Sequence, residues 1–115
     1  MILAEPLNAS DSHQSFKEKK LIKVQNPNTI ADGLKTSLSE KTFDIILNGA
    51  EDIITVSEKE IVSSMKLIWE RLKIVCEPSC SLPLAAVLKN KNKFKGKAVG
   101  LILTGGNVNV TKLPF

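Results

Sequence analysis

The stretch that decides the fold is residues 99–107, VGLILTGGN, in which an apolar run ends in a threonine and two glycines. Apolar runs without a polar side are typical of parallel strands that helices cover on both faces. In an open α/β sheet the ligand crevice lies at the carboxyl ends of the strands. We therefore predict a strand over residues 98–103, with Thr104 at the ligand-binding edge of the sheet. The glycines after it allow the backbone to approach a ligand closely.

The strongest helical signal lies upstream of this run. Ser57-x-x-Glu60 is a capping box, and it predicts that the longest helix covers residues 58–75. Its buried stripe is expected to comprise Ile61, Met65, Ile68, Trp69 and Leu72. Pro78 interrupts this pattern, and a second helix is expected over residues 82–88 with a proline in its first turn.

Weaker signals predict the remaining elements. They are strands over residues 2–5 and 52–56, helices over 10–19 and 42–49, and an ordered loop or short broken helix over 29–39. The chain thus predicts one partial three-layer α/β domain over residues 1–115, with a parallel sheet and no second domain. About three strands leave two sheet edges open, so we expect upstream sequence to be missing.

Composition excludes several classes of function. The net charge is +4, but Arg71 is the only arginine and aromatic residues are few, which disfavours a nucleic-acid surface. No signal peptide or membrane-length apolar stretch is present, so the expected location is the cytoplasm, without a membrane partner. Cys76 and Cys80 are interpreted as buried thiols, since two thiolates do not complete a zinc site. His13 is interpreted as a surface residue.

Four segments, taken in order, resemble one family. They are AEPLNASD at residues 4–11, PNTIADG at 27–33, WERLK with EPS at 69–79, and TGGN at 104–107. Together they resemble the C-terminal part of the serine racemase and serine/threonine dehydratase family. These are pyridoxal-phosphate enzymes of the tryptophan-synthase-β fold type, or fold type II. The resemblance covers essentially the whole chain, and it implies the C-terminal part of the large domain.

The resemblance also implies a cofactor-binding role for three residues. Thr104 matches the position whose hydroxyl hydrogen-bonds the pyridine nitrogen of pyridoxal 5'-phosphate. Gly33 matches the residue whose backbone packs flat against the cofactor ring, and Glu77 belongs to the pocket wall. Cys80 and Ser81 stand where the family usually has a glycine and a small residue. Cys80 is therefore expected to strain the turn or narrow the pocket.

A divalent-cation site is implied as well. Glu5, the carbonyl of Ala9 and Asp11 match a set of hard oxygen ligands suited to Mg²⁺, or to Ca²⁺ or Mn²⁺. Lys73 matches a residue near a nucleotide effector site. Members of the family are expected to act on serine or threonine as homodimers.

No catalytic residue is assigned to this chain. The family's Schiff-base lysine and its glycine-rich phosphate loop belong to segments that the resemblance does not include, so the chain alone is expected to be inactive. The sequence favours the C-terminal segment of a serine racemase or of an L-serine or L-threonine ammonia-lyase. The alternative is a non-catalytic truncated product, or a docking partner of a full-length enzyme.

Overall fold

The computed structural model describes residues 1–23 and 25–115. Along the chain the elements are β1 (Ile2–Pro6), a 3₁₀ turn (Leu7–Ala9), α1 (Asp11–Glu18), a second 3₁₀ turn (Asp32–Leu34), α2 (Glu40–Gly49), β2 (Asp52–Val56), α3 (Glu58–Leu72), α4 (Pro78–Lys89), α5 (Lys91–Phe94) and a third 3₁₀ turn (Val110–Lys112). This order confirms the α/β class, and both N-terminal strands form where predicted. Of the helices in these residues, none is long and apolar enough to cross a bilayer.

The two strands form a parallel sheet, in which Leu3 lies opposite Ile53. Side chains alternate across a strand, so Ile54 and Val56 share one face of β2 and Ile53 points to the other. The first face packs against α4, while α1 contacts β2. Ile53 is buried but lies outside the cluster formed with α4. The chain therefore builds part of a sheet that helices cover on both faces, as predicted.

Helix α3 begins as predicted because its capping box forms. Glu60 N donates to Ser57 Oγ at 3.3 Å, and Ser57 N donates to Glu60 Oε2 at 2.7 Å. The helix ends at Leu72 rather than at residue 75, because Lys73 adopts a left-handed conformation with φ 58°. Leu72 is 58% exposed, so its predicted place on the buried stripe was wrong.

Helix α4 is longer than the predicted segment at residues 82–88. It begins at Pro78. Proline is tolerated at the first position of a helix because the N–H that it lacks would have no partner within the helix. Pro83 lies inside the helix rather than in its first turn, and it has no N–H to donate to the carbonyl of Ser79. Leu82 and Ala85 are buried, and this packing keeps the helix continuous across the lost bond.

No strand forms over residues 98–103 in the described part of the chain, so that prediction was wrong. A strand requires a hydrogen-bonded neighbour, and β1 and β2 pair only with each other. Val99, Leu101 and Ile102 are exposed, Ile102 by 77%. Leu103 instead packs against the core between α3 and α4. The run therefore has strand composition without a ladder partner.

A second core cluster lies between α3 and α4. It comprises Met65, Ile68, Cys76 and Cys80, with Trp69 packed against it. Both cysteines are free and buried, as predicted. Trp69 is partly buried, and its indole Nε1 donates to the carbonyl of Cys76 at 2.9 Å. This bond joins the end of α3 to the segment that leads into α4.

Candidate functional site

The loop at residues 104–107 is bound to the start of α4 through Glu77. Glu77 N donates to the carbonyl of Gly105 at 3.0 Å, and Asn107 N donates to Glu77 Oε2 at 3.1 Å. A Cβ atom on Gly105 would lie 2.9 Å from Glu77 Oε1, and one on Gly106 would lie 2.6 Å from the carbonyl oxygen of Val75. Gly106 is therefore required by close packing against backbone, whereas a Cβ atom on Gly105 would displace the end of the Glu77 side chain; neither glycine has a positive φ.

Gly33 lies against the same turn of α4. A Cβ atom on Gly33 would lie 3.1 Å from Ser79 Oγ, so the second 3₁₀ turn packs on the helix here. That turn is held from its N-terminal side, where Ile30 N donates to Glu58 Oε2 at 2.8 Å. The structure thus brings Gly33 and Glu77 together at the N-terminus of α4. The Thr104 loop joins them through Glu77.

The N-terminus of α4 has few free backbone donors. Pro78 at its first position has no N–H, and Cys80 N donates to the carbonyl of Glu77 at 3.1 Å. Glu77 is the N-cap residue, but its side chain does not cap the helix. The buried hydroxyl of Ser79 has no hydrogen-bond partner among the described residues. This unsatisfied hydroxyl lies against Gly33, and it is the polar group at this turn whose hydrogen bond a bound cofactor would supply.

Thr104 faces an open cleft of about 710 Å³. The walls of this cleft come from residues 1–5 along β1, from Pro83, Ala86 and Val87 of α4, and from residues 97–102. The side chain of Thr104 is exposed. Neither Glu77 nor Gly33 lines the cleft. Thr104 therefore lies between the cleft and the turn of α4 that holds the other two predicted residues.

Glu5 and Asp11 are both buried beside α1. Glu5 Oε1 accepts from Ser12 N at 3.1 Å and Oε2 accepts from His13 N at 2.8 Å, so this carboxylate caps α1. Hydrogen bonds from the Ser37 side chain and the Leu38 backbone partly offset the burial of the Asp11 carboxylate. Burial raises the pKa of both carboxyl groups, and the charge of Asp11 adds to the increase at Glu5.

The carboxylates of Glu5 and Asp11 fit a hard cation, but they would supply only two of its side-chain ligands. A divalent ion would offset the burial of two neighbouring carboxylates, and the carbonyl of buried Ala9 lies on the short segment between them. Within the described ranges, no group of three or more His, Cys, Asp or Glu side chains could surround a metal. Such an ion would therefore depend on two carboxylates, a backbone carbonyl and water.

Cys80 neither strains the turn nor narrows the cleft, contrary to the expectation from its place in the motif. It lies inside the helical part of α4 without a positive φ, and its side chain packs in the core with Met65 and Ile68. Burial, and then the neighbouring thiol of Cys80, raises the pKa of Cys76 to about 11. Cys76 is therefore a neutral thiol at physiological pH, unsuited to act as a nucleophile or a thiolate ligand.

Lys73 lies apart from these groups along the chain, at the C-cap of α3. Its side chain is exposed, and it forms no ion pair within the described part of the chain. The contacts in the structure link it neither to the Thr104 loop nor to the acidic pair. Its amino group is accessible to a ligand in solution.

His13 is not the isolated surface residue that the sequence predicted. Its Nδ1 lies 2.7 Å from the carbonyl oxygen of Ile53, and its backbone N–H donates to Glu5 Oε2, so it joins α1 to both strands. The contact spans 40 positions of sequence, and no local pattern announces it. Ser79 was not predicted as a site residue either, although it lies in the EPS segment that carries part of the resemblance.

Comparison with known proteins places this arrangement among cofactor-dependent enzymes. Residues 1–105 match the family described as pyridoxal-phosphate dependent enzyme. The chain is 49% identical over 115 residues to β-hydroxyaspartate dehydratase of Paracoccus denitrificans, covering 100% of this chain and 36% of that protein. It is 46% identical over 114 residues to serine racemase of Dictyostelium discoideum, covering 96% of this chain and 35% of that protein.

A solved structure agrees with these matches. Maize serine racemase superposes with a TM-score of 0.90 at 37% identity, covering 96% of this chain and 35% of that chain. The fold is therefore that of fold-type II enzymes, of which this chain forms part. The chain spans about a third of the length of the relatives it matches.

Proposed function

Because the chain belongs to the family of pyridoxal-phosphate-dependent enzymes, we propose that it forms one wall of the cofactor site of an amino-acid racemase or ammonia-lyase. The observation that carries this proposal is the convergence of Gly33, Glu77 and the Thr104 loop at the first turn of α4. Relatives named for racemisation of serine and for elimination from hydroxyaspartate or threonine indicate small hydroxylated amino acids as substrates.

Each of the three residues has a separate role in this proposal. When bound, pyridoxal phosphate withdraws electrons from the α-carbon of an amino acid. The Thr104 hydroxyl would hydrogen-bond the pyridine nitrogen and, unlike a carboxylate, would not favour its protonation. Gly33 would contact the ring through its backbone. Glu77 positions Thr104 through its bonds to Gly105 and Asn107.

The lysine that bonds covalently to the cofactor is assigned to the part of the family's length that this chain does not span. The support is the coverage, since the chain aligns with only 35% of the Dictyostelium enzyme. On this proposal the chain alone carries no turnover. The alternative is a non-catalytic truncated product, or a docking partner of a full-length enzyme.

A graft tests the proposed role of the wall. Residues 1–115 replace the aligned segment in the Dictyostelium serine racemase, and racemisation and elimination are measured with serine, threonine and hydroxyaspartate. We expect the graft to be active and Thr104→Ala to lower kcat about tenfold or more, through loss of the bond to the ring. Thr36→Ala, at an exposed position outside the site, is the matched control. An inactive but folded graft would contradict the proposal.

The assignment of the lysine is tested on the unmodified chain. The purified protein is mixed with pyridoxal phosphate, reduced with borohydride and mapped by mass spectrometry. We expect only scattered, substoichiometric labelling of exposed lysines. A stoichiometric adduct at one lysine would show that this chain supplies the bonding residue itself.

We also propose that Glu5, the Ala9 carbonyl and Asp11 bind Mg²⁺ or a similar hard cation. The burial of Asp11 beside Glu5 supports this, because an ion would offset the burial of two neighbouring carboxylates. Mg²⁺ at millimolar concentration should raise the melting temperature of the graft, and Asp11→Asn should abolish the increase. Asp44→Asn, on the exposed surface of α2, is the control. An equal response in both variants would contradict the site.

Lys73 is proposed to contact a nucleotide effector, on the strength of its place in the motif and its accessible amino group. In the active graft, ATP should change kcat or KM, and Lys73→Ala should remove that change. Lys59→Ala, at another exposed position of α3, should not. A response to ATP that survives Lys73→Ala would contradict the assignment.

A further inference from the structure

The turn that carries Gly33 is anchored at both ends by apolar packing. Ala31 is fully buried in the cluster formed by β2, α3 and α4, and Leu34 packs against the same cluster. Leu34 N donates to the carbonyl of Ala31 at 2.9 Å, which closes the turn. Apolar contacts are not directional, so they bury the turn but contribute little to the orientation of its backbone. The orientation of Gly33 therefore depends on directional contacts made to the turn.

Glu58 makes such a contact across a long stretch of sequence. It is the first residue of α3, and its Oε2 accepts from Ile30 N at 2.8 Å, 28 positions earlier in the chain. The carbonyl of Ile30 in turn accepts from Asp32 N at 3.0 Å, and Gly33 follows directly. The Glu58 carboxylate is therefore bonded to the peptide that leads into the Gly33 turn.

The orientation of the Glu58 side chain indicates how much this bond matters. Its second oxygen, Oε1, is buried and has no hydrogen-bond partner within residues 1–23 and 25–115. The helix dipole stabilises a carboxylate at the start of a helix, but burying an oxygen without a partner costs free energy. A role at the dipole alone would leave both oxygens in water. The bond to Ile30 N is the contact that offsets the burial.

The turn has little freedom on the side that faces α4. The Cβ position of Gly33 lies 3.1 Å from Ser79 Oγ, so a small rotation of the turn either collides with the helix or opens a gap. Helix α4 is itself tied to α3, since Ser81 Oγ donates to the carbonyl of Ile61 at 3.1 Å. Helix α3 therefore holds the turn, through Glu58, and also the helix against which the turn packs.

We propose that Glu58 is a positioning residue for the cofactor, which holds the backbone of Gly33 in the orientation that contacts the pyridoxal ring. The inference rests on the proposed function, because it takes Gly33 as a residue that contacts the ring. In this role Glu58 acts through Ile30 and need not contact the cofactor. Glu77 bears the same relation to the Thr104 loop. One carboxylate thus orients each half of the proposed wall.

Two conservative variants separate the bond from the charge. Glu58→Asp keeps a negative charge at the start of α3, but its side chain is one methylene too short to reach Ile30 N. Glu58→Gln loses the charge and keeps both the length and an oxygen that accepts the bond. Glu40→Asp makes the same shortening at the first position of α2, where the side chain is exposed, and is the matched control.

The free chain reports on the bond itself. Hydrogen exchange at the Ile30 amide should be about tenfold faster in Glu58→Asp than in the unmodified chain, because a bond to a charged acceptor is lost. Glu58→Gln and Glu40→Asp should leave this rate close to normal. Circular dichroism shows whether each variant folds. If Glu58→Asp does not fold, Glu58→Ala is compared with Glu58→Gln, since both lack the charge and only glutamine accepts the bond.

The graft of residues 1–115 into the Dictyostelium serine racemase reports on the cofactor. The Kd of pyridoxal phosphate, measured by fluorescence titration of the cofactor-free graft, should rise about tenfold in Glu58→Asp. It should change less than about twofold in Glu58→Gln and Glu40→Asp. The visible circular dichroism of the bound cofactor should change in Glu58→Asp alone. A loss of stability without a change in orientation would leave that signal unaltered below the melting temperature.

Three results would overturn the inference. They are an unchanged exchange rate at Ile30 in Glu58→Asp, equal cofactor affinity in Glu58→Asp and the unmodified graft, and an equal loss of affinity in Glu58→Gln, which would assign the effect to the charge. An unmodified graft that binds no pyridoxal phosphate would contradict the proposed function instead. Exchange at Ile30 would then still show whether Glu58 holds the turn, so the two proposals fail separately.

Discussion

The first turn of α4 and the run at residues 97–102 border the same site, yet they differ in where their partners lie. The turn is joined to Gly105 and Asn107 through Glu77 and packs against Gly33, all within this chain. The run exposes its apolar side chains to the cleft and pairs with no strand among the described residues. One region thus has its partners within the chain, and the other has no strand partner among the described residues.

The largest expected effect is on the free energy of unfolding, which should respond to truncation in the core of α4 and not to truncation in the exposed run. Leu82→Ala removes a side chain of α4 that is 1% exposed, and it should lower the free energy of unfolding by about 2–5 kcal/mol. Ile102→Ala, at 77% exposure, should change the stability of the free chain by less than about 0.5 kcal/mol. Urea denaturation measures both. Equal losses would mean that the run is packed in solution and the comparison is wrong.

A smaller effect is expected from the glycines. Gly106→Ala would put a Cβ atom 2.6 Å from the carbonyl oxygen of Val75, and the backbone must shift to accept it. We expect the free energy of unfolding to fall by about 1–3 kcal/mol, as it does when other closely packed positions are enlarged. A Cβ atom on Gly100 would meet nothing within 4 Å, so Gly100→Ala in the run is the matched control. A neutral Gly106→Ala would show that the loop is not held against residue 75.

The bond from Asn107 to Glu77 should contribute less, because it is partly open to solvent. Glu77→Ala should cost about 0.5–1.5 kcal/mol and speed hydrogen exchange at residues 105–107. Glu70→Ala, whose carboxylate forms an exposed pair with Lys66, should leave exchange in that loop unchanged. Unaltered exchange in Glu77→Ala would remove the proposed positioning role of Glu77.

The smallest expected effect is that of the ion pair between Lys93 and Asp52, which lies outside the two regions compared above. Lys93 pairs with Asp52 and is the main cause that lowers the pKa of that carboxyl below its usual 3.8. A lowered pKa in the folded state stabilises the protein above pH 3.8, and this contribution is lost as the pH falls through the folded pKa. The pair is exposed, so Lys93→Met should cost less than about 1 kcal/mol at pH 7. Stability curves that stay separated at pH 2 would contradict this account.

Local signals predicted much of the fold. The capping box at Ser57 and Glu60 located the start of α3, and alternating β-branched residues located β2. Both signals act over a few neighbouring residues, so they operate whatever surrounds them. The burial of Cys76 and Cys80 also followed from composition and spacing. The sequence did not predict the end of α3, because Lys73 adopts the left-handed conformation and, unlike glycine, gives no sequence signal for it.

Part of the candidate site was predictable in the same way. The glycines after Thr104 predicted a close approach of the backbone to a ligand, and the structure shows that they pack closely against Glu77 and residue 75 of the chain itself. Neither the contact of Gly33 with Ser79 nor the bond of His13 to Ile53 could be read locally. Both contacts join residues about 40 or more positions apart, and only the packed chain brings them together.

The sequence by itself determined the α/β class and most helices, because hydrophobic periodicity and capping chemistry act at short range. The tertiary structure decided that helix α4 begins at Pro78 and continues through Pro83, since burial of Leu82 and Ala85 offsets the lost hydrogen bond. It also decided that residues 98–103 form no strand here. A strand exists only through hydrogen bonds to a neighbour, and an apolar run cannot specify where that neighbour lies.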